Sequence, residues 1–375
     1  MTVSRSFISA ASGEVFDPSS GIWQCPTTGA HLNLAQGDGL KRSDVNRQER
    51  SMWRYGAAIA ISPSVPLTLG VGWTPLIQTT WSSGDVGWKL DFMNPSGSFK
   101  DRGFAVVINY LRELGIASVS EDSSGNGGAA LATFAASAGM RCRIYVPAAT
   151  SAAKIAQISA TGAEVIRIAG ARQAVAEAAI EDDTGSYYAS HNWHPMFVEG
   201  TKTVGYEIWE QMGHRAPDVI VAPTGGGSNV IGCRLAFDEL LRAREIDRLP
   251  RLFGIQSMAC DPLAKAFASS LSEYHVMQPS KTIAEGIAVS QPVRSREVLA
   301  AARDSGGGVI AVSESEIFDA YQRLARIGIY VEPTSATAAT GVDVLRRDGH
   351  ISATESVVVI LTGSGLKSGT VEKPT

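Results

Sequence analysis

From about residue 100 to residue 363 the chain alternates between helix-like and strand-like segments, and this alternation limits its possible folds more than any other feature. After Lys100 the apolar residues Val106, Val107, Tyr110, Leu111 and Leu114 fall at helical spacing, and Gly115 supplies a stop. A strand near 117–121 leads into SSGNGG (123–128). An Ala-rich helix over 129–138 comes next, then a strand at 141–147, a helix at 151–162, a strand at 163–168 and a helix at 171–182. The rhythm resumes with a helix near 198–212, a strand at 218–223, a helix at 229–243 and a strand at 251–256. Ser313 and Glu316 have the spacing of a capping box for a helix running to Gly328, and VVVILTG (357–363) reads as a buried strand. Alternation of this kind predicts an α/β fold of parallel sheets covered by helices. Ligands in such folds sit at the carboxyl ends of strands, where loops enter helices.

The first 90 residues are different, rich in Trp, Ser, Gly and Pro and weakly periodic. Their tryptophans, Trp23, Trp53, Trp73, Trp81 and Trp88, read as packing residues. A chain of 375 residues predicts two domains, and 44% hydrophobic content is enough for two cores. With 19% charged residues the composition is not that of a disordered chain. The net charge of −4, from 33 basic and 37 acidic residues, gives no pull toward nucleic acid or an acidic membrane. Cys25, Cys142, Cys233 and Cys260 form no C-x-x-C pair and read as buried thiols of a reducing, cytoplasmic compartment. The segment MTVSRSFISAASGEVFD has no long apolar core, so neither a signal peptide nor a transmembrane span is expected.

Four loops can carry chemistry. PTGGGSN (223–229) lies between a strand and a helix, where consecutive glycines let backbone N–H groups approach an anion and the helix terminus adds partial positive charge. It matches neither a Walker motif nor G-x-G-x-x-G, so a phosphate cradle and a plain tight turn both stand. In SSGNGG, Ser123, Ser124 and Asn126 offer hydrogen bonds to an anionic ligand, or simply cap a helix. NPSGSFKDRG (94–103) puts Lys100 at a helix entrance beside Arg102, a setting that favours the neutral amine needed for imine chemistry. LTGSGLKS (361–368) places the Thr362 hydroxyl after an apolar strand. Together they supply a lysine, a phosphate cradle, polar groups for a ring substituent and a terminal hydroxyl, which are the parts of a pyridoxal 5'-phosphate (PLP) site.

At these loops the chain resembles the threonine synthase branch of the fold-type II PLP enzymes, the tryptophan synthase β-like superfamily. WRY (53–55), LGVGWTPLI (69–77), NPSGSFKDRG, SSGN, EGTKT (199–203), PTGGGSN, EPTSA (332–336) and TGSGLK (362–367) follow in family order. The resemblance implies two three-layer α/β/α domains with mostly parallel sheets and PLP in the cleft between them. Residues 1–92 and 190–375 would form a large PLP-binding domain and 93–189 a smaller inserted one. It implies that Lys100 holds the cofactor as a Schiff base and shuttles protons. Asn126 would bond the cofactor's 3′ oxygen, and Gly225, Gly226, Gly227, Ser228 and Asn229 would hold its phosphate. Thr362 would face the pyridine nitrogen without strongly favouring ring protonation. Ser123, Ser124 and Gly127 would line the substrate site, and a homodimer would be the assembly.

The chain departs from the family pattern at four places. Phe197 stands where threonine synthases often carry an arginine for the phosphate of O-phosphohomoserine, which removes a bidentate partner. Gly127 replaces a small hydroxyl residue beside Asn126, and TIAEGIAV (282–289) looks closer to the amino-acid dehydratases. QCPTTG (24–29) keeps one cysteine of a metal-type pair, which argues against a structural zinc. His191 and His194 lack a third ligand in sequence, so they read as pocket wall instead of metal site, with Asn192, His194 and Phe197 replacing the missing phosphate contacts. The resulting expectation is a PLP-dependent lyase or synthase acting on a small amino acid. It would remove the α-proton and eliminate or replace a β or γ leaving group. A serine/threonine dehydratase-like or sulfhydrylase-like enzyme is the alternative. A non-catalytic homologue is disfavoured by retention of Lys100, Asn126, the glycine loop and Thr362.

Overall fold

The computed structural model describes residues 3–170, 172–369 and 371–374. Its strands are β1 (Phe7–Ser9), β2 (Val15–Phe16), β3 (Leu32–Leu34), β4 (Leu76–Trp81), β5 (Gly84–Lys89), β6 (Ser118–Glu121), β7 (Arg141–Pro147), β8 (Glu164–Ile168), β9 (Tyr187–Tyr188), β10 (Val219–Pro223), β11 (Arg251–Ser257), β12 (Gly308–Val312) and β13 (Val357–Ile360). The α-helices are α1 (Lys100–Glu113), α2 (Asn126–Ser137), α3 (Ala152–Ala160), α4 (Arg172–Ile180), α5 (Pro195–Thr201), α6 (Thr203–Gln211), α7 (Ser228–Arg242), α8 (Pro262–Ala268), α9 (Ser295–Asp304), α10 (Glu314–Arg326) and α11 (Pro333–Arg347). The chain divides into two compact units, residues 1–37, 46–71 and 94–200 in the first and 38–45, 72–93 and 201–375 in the second.

The first unit holds a four-stranded sheet in the order β8-β7-β6-β9, parallel throughout, and a small antiparallel sheet, β2-β1-β3. Helix α1 is buried at every position from Asp101 to Leu111, so it is a central core helix instead of the one-sided amphipathic helix its apolar spacing predicts. Phe104, Val107, Tyr110 and Leu111 join Phe134 and Ile144 in one apolar cluster.

The second unit is built on a six-stranded sheet in the order β12-β11-β10-β13-β5-β4. It is parallel except for β4, which pairs antiparallel with β5. Here β10, β11 and β13 are the apolar runs that sequence reading marks as strands, and their parallel pairing fits the strand–helix alternation. The Ser313–Glu316 capping box forms, with the Ser313 side chain accepting from Glu316 N–H. The hairpin β4–β5 has no clear period-2 signal; Trp81 and Trp88 pack edge to face within it at 5.2 Å, as packing residues do.

The division differs from the expected 1–92 plus 190–375 against 93–189. Residues 1–37 and 46–71 belong to the unit that holds α1, because buried polar bonds tie them there. The Ala60 N–H donates to Glu199 Oε1 at 2.8 Å and Arg5 pairs with the same carboxylate. Tyr110 donates to the Pro18 carbonyl at 2.6 Å, and Asn109 exchanges hydrogen bonds with the Leu67 backbone. Residues 72–93 belong to the other unit for the same kind of reason. Lys89, wholly buried, donates to Glu207 at 2.7 Å and to Gln211 and the Thr74 carbonyl, and Trp73 N–H donates to Glu207 as well. The short stretch 38–45 is held by the Arg42 N–H bond to Glu245 at 3.0 Å.

Ionic contacts in the second unit fall into two energetic classes. Lys202 Nζ lies 3.0 and 3.1 Å from the two oxygens of Glu239, which also accepts from Tyr206, and both charges are almost wholly buried. The Arg296–Glu273 pair is more than half exposed on both sides. Glu239→Ala removes the carboxylate facing a buried ammonium, so urea unfolding should show a loss of about 3–5 kcal/mol. Glu273→Ala should cost less than about 1 kcal/mol in the same measurement.

Candidate active site

Lys100 is the first residue of α1, in the first unit. Its Nζ stands 4.9 Å from the ring centroid of Phe99 and 5.4 Å from that of Phe197. Phe197 is on α5, which reaches α1 at its first turn because neither backbone carries a Cβ at the crossing. A Cβ on Gly103 would overlap the Phe197 ring, and one on Gly200 would overlap the Arg102 carbonyl. Phe197 also packs edge to face on Phe104 at 5.1 Å and is wholly buried.

The loop after β6 brings more polar groups to this unit. Ser123 is buried, Ser124 and Asn126 are half-buried, and Asn126 opens α2. His191 lies over Gly127: a Cβ there would stand 2.9 Å from Nδ1 and 3.0 Å from Cε1. Glu121, buried at the end of β6, takes the His191 N–H at 3.1 Å and the ring Nδ1–H through the same oxygen, Oε1. Its other oxygen, Oε2, is buried with no hydrogen-bond partner. The His191 ring is 5.7 Å from Phe197. Burial, and then the charge of Lys100, hold this imidazole below the usual histidine range, while Glu121 and Asp122 pull the other way.

In the second unit the glycine loop runs from β10 into α7. Gly225 and Gly227 are buried and Gly226 and Ser228 half-buried. Gly227 takes a φ of +84°, a left-handed conformation open to glycine at little cost, and its Cβ would overlap Val298. The turn lays successive N–H groups at the start of a 15-residue helix. Asn229 Oδ1 is buried with no hydrogen-bond partner. The segment 282–289 borders the loop, since a Cβ on Gly225 would lie 3.0 Å from Ile287 Cα and from Val289 Cγ2. Thr362, buried past β13, lies 3.1 Å from the Ser335 hydroxyl. Ser335 Oγ also accepts the N–H groups of Thr362 and Gly363 at 2.9 Å each.

The sequence-selected residues thus form two groups. Lys100, Ser123, Ser124, Asn126, Gly127 and Phe197 are in the first unit, and Gly225 to Asn229 and Thr362 in the second. His194 is placed differently from His191. It is wholly buried, stacked edge-on against Tyr110 at 5.4 Å, within 3.1 Å of the Tyr187 hydroxyl, and it accepts the Met196 N–H on Nδ1. It serves the core, while His191, three residues earlier, is the ring beside Lys100. Sequence reading also gave no role to Glu121 or Ser335. Glu121 ends the short strand that leads into SSGNGG, and Ser335 lies within EPTSA; both signals were present but weak.

Residues 67–363 match the family described as "Pyridoxal-phosphate dependent enzyme". The threonine synthase of Methanocaldococcus jannaschii is 33% identical over 342 residues, covering 88% of this chain and 84% of that protein. That of Methanosarcina acetivorans is 35% identical, covering 84% and 80%. Among solved structures, a pyridoxal 5'-phosphate-dependent aspartate racemase superposes with a TM-score of 0.68 at 22% identity, covering 78% of this chain and 90% of that one. Maize serine racemase does so at 0.66 and 24% identity, covering 78% and 88%. At that identity these two likenesses establish the fold alone.

The placement of His194 has a direct test. His194→Ala should lower stability by about 2–4 kcal/mol in denaturant unfolding, through the cavity left beside Tyr110 and the lost hydrogen bonds. Ligand affinity, measured well below the unfolding transition, should stay within about twofold.

Proposed function

Because the chain belongs to the pyridoxal-phosphate dependent enzymes, we propose that it is a threonine synthase-like lyase whose cofactor is anchored by Lys100 and cradled by Gly225–Asn229. The observation that carries the reading is the loop between β10 and α7, where a left-handed Gly227 and the backbone N–H groups at a long helix N-terminus suit a bound phosphate monoester. The donor set elsewhere fits the same group. Lys100 offers an amine for the cofactor's aldehyde carbon, Asn126 an amide for the ring oxygen, and Thr362, fixed by Ser335, a hydroxyl for the ring nitrogen. When bound, PLP supplies an electron sink that stabilises negative charge at the α-carbon of an amino acid.

The protein's own groups do the rest of the work. The Lys100 amine takes the α-proton and can return it. Ser123 and Ser124, on the turn into α2, hold the substrate carboxylate by hydrogen bonds. Phe197 and Phe99 give Lys100 an apolar backing that excludes water. A hydroxyl at Thr362 holds the ring nitrogen without the charge that would force its protonation.

The relatives named threonine synthase make threonine synthesis the first reading. Phe197 supports a second, a β-eliminating or β-replacing enzyme. A wholly buried phenyl ring offers no cation to a phosphate leaving group, and the dehydratase-like segment 282–289 lies against the glycine loop. We also assign the chain to a reducing, cytoplasmic setting, on its four buried free thiols, and to a homodimer. No helix among the described residues is long and apolar enough to cross a membrane.

The purified protein should show the absorbance band of lysine-bound PLP, and Lys100→Ala should abolish it and reduce turnover by at least about 10²-fold. A panel of O-phosphohomoserine, O-acetylhomoserine, threonine, serine and O-phosphoserine, read by spectral change, identifies the substrate class. A response to O-phosphohomoserine alone supports threonine synthesis, and responses confined to unphosphorylated substrates support the second reading. A protein that neither contains nor takes up PLP would overturn both.

A further inference from the structure

We propose that His191 is a second proton-transfer group beside Lys100, taking the proton of a small protic nucleophile, water or a thiol, as that nucleophile bonds the substrate carbon. The proposal rests on the reading above and selects replacement or addition over simple elimination.

Three features of the first unit converge on this ring. Glu121 fixes it twice through one oxygen, by the backbone N–H of His191 and by Nδ1–H. A carboxylate on Nδ1 sets the tautomer and leaves the lone pair on Nε2, and it stabilises the ring once it gains a proton. Gly127 leaves the space the ring occupies: any β-carbon there would press on Nδ1 and Cε1 at 2.9 and 3.0 Å. Phe197 then serves as a wall common to both bases, with Lys100 Nζ 5.4 Å and the His191 ring 5.7 Å from its centroid. The imidazole side chain keeps 12% of its surface exposed, whereas its carboxylate partner keeps none.

Three charges act on the ring. Glu121 on β6 and Asp122 just after it are negative, and Lys100 on α1 is positive. Cys142 on β7 faces Glu121, with its thiol pushed up to about 12 by burial and by that carboxylate, so it stays neutral. Asp122 accepts from the Tyr188 hydroxyl at 2.6 Å. Ser123, Gly127 and Phe197 are uncharged neighbours. Burial, with the charge of Lys100, outweighs the two carboxylates and holds the ring below the usual histidine range, which favours the neutral form that can accept a proton.

An elimination needs one base for the α-proton, and Lys100 supplies it. A second neutral base is suited to activating a nucleophile H–X. As the X–H bond breaks, its electron pair forms the X–C bond and the proton passes to Nε2. Lys100 returns to the α-carbon the proton it took. The leaving group departs with its bonding electrons and receives the proton from His191, directly or through water. The balance is substrate–L plus H–X giving substrate–X plus H–L, with both bases restored.

The first test needs no cofactor. In the full-length, PLP-free chain with ¹⁵N-histidine, His191 should show the Nδ1–H tautomer and a titration midpoint below the usual histidine value. Lys100→Ala should raise that midpoint and Glu121→Gln should lower it. A midpoint indifferent to Lys100→Ala, or an Nε2–H tautomer, overturns the proposal. In the loaded enzyme, kcat for the nucleophile-dependent reaction should fall as pH drops through the His191 midpoint of that form, because the protonated ring can accept nothing. His191→Asn should remove that acid limb and lower kcat by about 10²–10⁴-fold with KM within about threefold, while nucleophile-independent elimination persists. An unchanged acid limb in His191→Asn overturns the proposal. Should that variant fail to fold, Glu121→Gln decides, since it must move the limb to lower pH. An intact PLP band with an unaltered limb defeats this inference alone, whereas absence of any PLP band defeats the functional reading beneath it.

Discussion

The close approach of α5 to the first turn of α1 is the contact on which the first unit's chemistry depends. It exists because residues 103 and 200 are both glycines, one on each backbone, each facing atoms that a β-carbon would overlap. Close packing of this kind holds a short helix rigidly against its neighbour. It seats Phe197 under Lys100, and through Phe197 it fixes where His191 stands. Glu199, just before Gly200, extends the same anchor by taking the Ala60 N–H and Arg5. The N-terminal segments are thereby bound to the lysine-bearing unit, although nothing local in their sequence announces it.

The second unit solves a different problem, that of presenting backbone donors and hydroxyls without letting them collapse. Gly227 turns the chain through a left-handed residue into α7, and α7 is braced from behind by the buried Lys202–Glu239 pair. Buried ion pairs are weak net stabilisers but costly to break, so such a pair fixes geometry more than it adds stability. Ser335 plays the matching part for Thr362. One hydroxyl oxygen accepts two backbone N–H groups and lies 3.1 Å from the threonine hydroxyl, which leaves Thr362 a defined orientation.

The departures from the family pattern are connected where they seemed separate. Gly127 in place of a small hydroxyl residue and His191 are two sides of one contact, the glycine making the space that the imidazole fills. Phe197 touches both His191 and the first turn of α1. A sequence shows two separate departures at 127 and 197; packing shows one wall beside Lys100, with His191 between them. His194 is placed apart from His191 for a related reason. Two histidines three apart look equivalent in sequence, but Tyr110 and Tyr187 enclose one while Glu121 captures the other.

By itself the sequence determined the parallel α/β class, the order of the chemical loops and Lys100 at a helix start. These depend on local periodicity, on glycine and on capping residues, all of which act over a few positions. The family membership was legible in the same ordered motifs. Tertiary structure alone decided which unit takes residues 1–37 and 46–71, that α1 is buried on every side, and which histidine stands beside the lysine. Those outcomes follow from contacts between residues as far apart as Ala60 and Glu199, or Glu121 and His191. Sequence spacing carries no record of such pairs, because burial and steric exclusion act only once the chain has closed upon itself.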